Sequence, residues 1–140
     1  MIDLTPALLA QLHAAAFSDS RAWSVDEMQA LLSSPPIFAV GTMRGFAMGR
    51  VIVDEAELLT IAVHPDQQGN GIGRRVLTLF EDKARSRGAR LAFLEVAEDN
   101  RPARALYASA GWTESGRRIG YYARQTGCAV DAIMLAKHLP

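Results

Sequence analysis

The sequence predicts one mixed α/β domain whose central sheet is mostly antiparallel and flanked by helices. Three observations predict it. The chain has 140 residues, enough for a single sizeable core. Three strand-like runs follow one another, IFAV (37–40), GFAMGRVIV (45–53) and AELLTIAV (56–63), with no helical stretch between them. Beyond residue 63, helical and strand-like patterns alternate to the end.

Thr5 and Pro6 begin a first helix, with proline at its first position and Leu8, Leu9, Leu12, Ala15 and Ala16 on one face. Ser24 and Glu27 form a capping box for a second helix that buries Met28, Leu31 and Leu32. The run Ser33-Ser34-Pro35-Pro36 stops it. Asp54-Glu55 joins the second and third strands tightly enough for an antiparallel hairpin. A longer helix is expected from about Gly71 to Arg87, with Ile72, Val76, Leu77, Phe80 and Ala84 inward and Gly88 closing it. RLAFLEV (90–96) is mostly apolar and reads as a strand buried on both faces. Asn100 and Pro102 start a short helix over 101–110, which Gly111 ends. Two last strands, from Trp112 to about Gly120 and from Ala129 to Leu135, enclose a loop holding Tyr121, Tyr122, Gly127 and Cys128.

Composition narrows the function. Lys+Arg and Asp+Glu both number 15, so no bulk positive field exists to hold nucleic acid, and direct nucleic-acid binding is not expected. The pair Arg117-Arg118 reads as a solvated face. The apolar start is interrupted by Asp3, Gln11 and His13, which makes a poor signal peptide and no membrane span. A single cysteine, Cys128, forms no internal disulfide, and a buried or idle thiol in a reducing, cytoplasmic setting is expected. His13, His64 and His138 lack metal-ligand spacing, so no metal is expected.

The most informative stretch is VHPDQQGNGIGRR (63–75), where three glycines stand between a strand and a helix. A helix start offers unpaired N–H groups and the positive end of the helix dipole, and glycines let an anion approach them. The spacing fits neither a dinucleotide fingerprint nor a P-loop. It resembles the acetyl-CoA loop of the GCN5-related N-acetyltransferases (GNAT), Gln/Arg-x-x-Gly-x-Gly/Ala, here Gln68-Gly69-Asn70-Gly71-Ile72-Gly73 after Val63-His64-Pro65. Residues 94–111 (LEVAEDNRPARALYASAG) resemble the family's second motif, L-E-V-x-x-x-N followed by A-x-x-L-Y-x-x-x-G. The hairpin over 51–63, Arg118-x-x-Tyr121-Tyr122, Asp131-Ala132-Ile133-Met134 and Trp23-Ser24 are similar to the family's bacterial ribosomal-protein-alanine branch. The chain departs from that branch at Ala22, Ala97, Asp99 and Val130.

The resemblance implies a GNAT fold over residues 1–140 and acetyl transfer from acetyl-CoA to an amine. It implies that the backbone of Ile61, Ala62 and Val63 pairs with the pantetheine arm. Gln68, Gly69, Asn70, Gly71, Ile72, Gly73 and Arg74 would hold the pyrophosphate. Glu95 is implied as a general base, directly or through water, although a Glu paired with Arg on a sheet face remains an alternative. Asn100 is a helix cap by its own chemistry, and the resemblance adds a hydrogen bond to the cofactor. Tyr107 is implied as the acid for the departing thiolate and a cofactor contact, against a plain core tyrosine. Tyr121 and Tyr122 would line the acceptor entry, or simply pack. The acceptor implied is a protein N-terminus, that of a ribosomal protein. A small amine, or a non-catalytic acetyl-CoA-binding module, are the other readings, and a monomer or weak dimer is expected. An α-amine of pKa about 8 is roughly a tenth neutral at pH 7, far more than a lysine, so a modest base suits an N-terminus.

Overall fold

The computed structural model describes residues 4–17, 23–124 and 127–140, which leaves Ala22 outside them. Two helices come first, α1 (Pro6–Ala16) and α2 (Val25–Leu32), then three strands, β1 (Ile37–Thr42), β2 (Gly45–Ile52) and β3 (Glu55–Val63). A short 3-10 turn leads to α3 (Ile72–Ser86), β4 (Leu91–Ala97), α4 (Arg101–Ser109), β5 (Thr113–Tyr122) and β6 (Val130–His138). The six strands lie in the order β1-β2-β3-β4-β6-β5. Every pairing is antiparallel except β3 with β4. The expected mixed, mostly antiparallel sheet with flanking helices is the one observed.

The helix starts form as the sequence predicts. Thr5 Oγ1 accepts from the Leu8 N–H at 3.1 Å. At α2, Ser24 and Glu27 exchange both hydrogen bonds of a capping box. Asn100 accepts from the Ala103 N–H at 3.3 Å and caps α4.

The sheet has a helical layer on each side. On one side, Val76 and Phe80 of α3 join one core cluster with Phe38, Leu94, Val96 and Trp112. Beneath α1 and α2 lie Leu9, Leu12, Met28, Ile37, Phe46 and Met48. Fully burying a side chain such as Phe46 or Phe80 contributes about 1.5–3 kcal/mol. The second layer covers β1 to β3 only: among the described residues, none from β4 joins it.

That asymmetry corrects one expectation. β4 is not buried on both faces: Ala92, Leu94 and Val96 are buried, while Leu91, Phe93, Glu95 and Ala97 are only half-buried. Alternate residues of a strand face opposite ways, and here only the α3/α4 side is fully covered. A second correction concerns Tyr121 and Tyr122, which end strand β5 rather than lying in a loop. The last strand also runs on to His138, and Trp112 sits in the core just before β5 begins. On α1 the buried face is rotated: Leu9, Ala10, Leu12 and His13 are buried, and Leu8, Ala15 and Ala16 are half-buried. His13 fits there because its Nδ1 accepts from the Trp23 N–H at 3.3 Å and its ring stacks on that indole. Burial pushes its pKa below the ordinary value.

Candidate active site

The sheet opens between its two parallel strands. β3 and β4 pair at Glu55–Leu91, Ala56–Ala92 and Glu57–Phe93, and the pairing stops there. β3 continues to Val63 and β4 to Ala97, so the strands diverge into a wedge. β3 stays paired with β2 over Glu55 to Val63, with one irregularity near Met48, so its opposite edge fronts the wedge beyond Glu57. Ile61, Ala62 and Val63 lie on this free stretch, with Ala62 buried and its neighbours half-buried. An unpaired strand edge can accept an extended ligand as an additional strand.

The glycine loop stands at the end of β3. The Gln68 amide donates to the Val63 carbonyl at 3.4 Å, and the Asn70 N–H donates to Gln67, which folds the loop back on itself. Gly69 and Gly71 have φ of 86° and 79°, and a Cβ on either would meet nothing within 4 Å. Backbone conformation, not crowding, requires glycine at both positions. Gly71 is the N-cap of α3, and no side chain caps that helix. Its first N–H groups, beginning with Ile72, therefore face open space with the dipole behind them. Gly73 has a different reason: a Cβ there would lie 3.3 Å from Leu106 and 3.7 Å from Val63. Arg74 donates to Ser109 Oγ at 3.0 Å, which ties α3 to the end of α4.

Glu95 projects from β4 on the face away from Leu94 and Val96. Its Oε1 lies 3.1 Å from Arg118 Nε. β6 separates β4 from β5, so Arg118 reaches Glu95 across β6, where the register places Ala132 beside both Ala97 and Arg118. The Arg118 guanidinium also lies over the Tyr121 ring, 5.3 Å from its centroid. Tyr121 and Tyr122 meet edge to face at 5.2 Å. Burial, and after it the Glu95 charge, pushes the Tyr122 pKa up. Glu95, Arg118, Tyr121 and Tyr122 thus form one cluster. Further along, Arg124 makes two hydrogen bonds to Asp99, at 2.7 and 2.8 Å, and holds its carboxyl below the ordinary range.

Arg117 and Arg118 are exposed, as a solvated face requires, and each is also paired with acids. Successive residues of a strand face opposite ways, and Arg117 bonds Glu98 and Asp131 while Arg118 takes Glu95. The pairing is not legible in the sequence, because the acids come from β4, the loop after it and β6, partners set by the strand order. The Asp99–Arg124 pair is hidden from the sequence for the same reason, since its two members are brought together only by the strand order.

Tyr107 belongs to the opposite layer. Its side chain is 4% exposed, its ring lies 6.0 Å from Trp112, and burial pushes its pKa well above the ordinary tyrosine value. Glu95 and Tyr107 therefore lie on opposite sides of the sheet. Among the described residues, no cluster of His, Cys, Asp or Glu could hold a metal ion, and Cys128 is exposed. No helix among them is long and apolar enough to cross a membrane.

A mostly antiparallel sheet split at its one parallel junction, with an uncapped helix and a glycine loop at the opening, defines an acyltransferase-type fold. A model of the acetyltransferase (GNAT) family matches residues 6–112, and the chain belongs to this family. The [ribosomal protein bS18]-alanine N-acetyltransferase of Escherichia coli K12 is 43% identical over 96 residues, which covers 69% of this chain and 64% of that protein. The match thus spans slightly less than two thirds of that relative's length. The N-alpha-acetyltransferase RimI of Mycobacterium tuberculosis is 38% identical over 122 residues, with 81% of this chain and 75% of that protein covered. The crystal structure of the ribosomal-protein-S18-alanine N-acetyltransferase from Escherichia coli superposes with a TM-score of 0.84 at 31% identity, covering 99% of this chain and 90% of that one.

Proposed function

We propose that the chain transfers acetyl from acetyl-CoA to the N-terminal α-amine of a protein, and that this protein is ribosomal. The observation that carries the reading is the wedge: a free strand edge that ends at the uncapped N-terminus of α3, with the Glu95 cluster on its far wall. The relatives named for alanine N-acetylation of a ribosomal protein support the acceptor.

The residues fit acetyl-CoA on two counts. The β3 edge at Ile61, Ala62 and Val63 suits a pantetheine arm, which carries amide groups that pair like a strand. The space above Gly69 and Gly71 leaves room for a pyrophosphate at the N–H groups of Ile72, Gly73 and Arg74. Gln68 and Asn70 shape this loop, and Asn100 adds a polar contact from the start of α4. When bound, acetyl-CoA supplies a thioester whose acetyl carbon takes the amine nitrogen as the carbon–sulfur bond breaks.

Glu95 accepts, directly or through water, the proton that the acceptor amine gives up. The Val63 N–H polarises the acetyl carbonyl. Tyr107 is protonated at neutral pH, as any tyrosine is, and its hydroxyl delivers that proton to the leaving sulfur. Tyr121 and Tyr122 frame the acceptor entry. We read residues 1–140 as one such domain, acting in the cytoplasm as a monomer or weak dimer without a metal.

The test is acetyl-CoA turnover with a peptide that begins with alanine, run against the same peptide blocked at its N-terminus. Turnover is expected with the free peptide alone. Equal turnover with both would move the acceptor to a side chain, and none with either would remove the reading.

A further inference from the structure

We propose that Arg118 occupies the place of the acceptor's α-ammonium in the free protein, and that the acceptor binds by displacing it. The inference rests on the acceptor reading above and adds a competitor built into the same site.

The cluster at the end of β4 has the parts of an ammonium receptor: a carboxylate, Glu95, beside the aromatic rings of Tyr121 and Tyr122. A cation is favoured both against a carboxylate and over the face of an aromatic ring. Arg118 uses both features at once. Its Nε lies 3.1 Å from Glu95 Oε1, and its guanidinium carbon lies 5.3 Å from the Tyr121 centroid. A second cation bound at Glu95 therefore meets a position already filled.

Displacement is cheap. The side chains of Arg118 and Glu95 are 52% and 28% exposed, and pairs so open to water are weak. Arg118 is also the only part of the cluster that can leave without disturbing the sheet. Glu95 is anchored on β4, which is paired with β6 along its length, and Tyr122 is half-buried at the end of β5. The other arginines of this side are held elsewhere: Arg117 by Glu98 and Asp131, and Arg124 by Asp99, with its guanidinium 5.7 Å from the Tyr122 centroid. Once Arg118 is released, Glu95 is free to take the acceptor's proton.

The arrangement also gives selectivity. An acceptor must bring a positive charge to Glu95 to compensate for the pair it breaks. A neutral or blocked N-terminus does not, so Arg118 disfavours it relative to a charged one.

The test compares the native protein with Arg118→Met, which keeps the stem and removes the charge, and with Arg118→Lys, which restores a cation. Binding of an alanine-initiated peptide and of its N-acetylated form is measured by calorimetry in the presence of CoA, after thermal melts confirm that each variant folds. Arg118→Met is expected to bind the free peptide about two- to fivefold more tightly than the native protein. Arg118→Lys is expected to return towards the native affinity, and the acetylated peptide is expected to bind less well than the free one to the native protein. Equal or weaker binding of the free peptide to Arg118→Met would overturn the displacement while leaving the acceptor reading intact. If neither peptide binds any of the three proteins, the acceptor reading falls and this inference with it.

Discussion

From Val63 to Arg74 the wedge is shaped by backbone, whereas from Glu95 to Arg124 its other wall is held by paired side-chain charges. On the first wall, positive φ at Gly69 and Gly71 and an uncapped helix start make the site, and the side chains mostly stand aside. On the second, Glu95–Arg118 and Asp99–Arg124 join β4 and the loop after it to β5 and its exit. A wall of backbone N–H groups suits a ligand whose phosphates and amides never vary. A wall of exchangeable ion pairs can be re-tuned one residue at a time.

The largest expected effect falls on Tyr107, in the α3/α4 layer behind both walls. Tyr107→Phe removes the proton held for the leaving sulfur and should lower kcat about a hundredfold at neutral pH, leaving acetyl-CoA affinity nearly unchanged. The ring keeps its contact with Trp112, so folding should be unaffected. Native turnover in that variant, read in a steady-state assay, would show Tyr107 to be core alone.

Next comes the backbone wall. Gly71→Val forces a β-branched residue to a φ of 79°, where such residues are strained. No side-chain clash accompanies it, since a Cβ at Gly71 meets nothing within 4 Å. The KM for acetyl-CoA should rise on the order of 30-fold, with little change in the KM for the acceptor. Equal rises in both would erase the division between the walls.

Glu95→Gln acts on the charged wall, and its effect should depend on pH. About a tenth of an α-amine is already neutral at pH 7, so the base contributes about tenfold there and less as pH rises. The rate profile should therefore shift to the alkaline side. An unshifted profile would take the base assignment away from Glu95 and leave it as the partner of Arg118.

The same division explains what the sequence makes legible. The glycine loop and the caps at Thr5, Ser24 and Asn100 are local: each is complete within a few residues, and each forms as expected. The strand–helix alternation likewise carries the fold. Partners across the sheet are not local. Arg118 meets Glu95 only because β6, last in the chain, inserts between β4 and β5. The reading of β4 as buried on both faces failed for a related reason. An apolar strand run signals cover on both sides, but α1 and α2 reach only as far as β3, and this shortfall leaves Glu95 open.

The smallest expected effect concerns Asp99, and it tests whether the charged wall is formed in solution. The hydrogen bonds from Arg124 lower the Asp99 pKa from its ordinary 3.8. A carboxylate whose folded pKa is depressed adds stability that is full above the unfolded pKa and is lost as pH falls through the folded one. The window therefore begins near 3.8 and extends below it. The pair is exposed, so the change in global stability should be slight. The titration itself is the better measure. Followed by NMR at the carboxyl carbon, Asp99 should titrate below its ordinary value in the native protein and return to it in Arg124→Ala. Acetyl-CoA affinity should not change in that variant, because nothing on the backbone wall touches Arg124. A midpoint that stays put would mean that the pair does not hold this wall in water, and a fall in acetyl-CoA affinity would mean that the two walls are coupled after all.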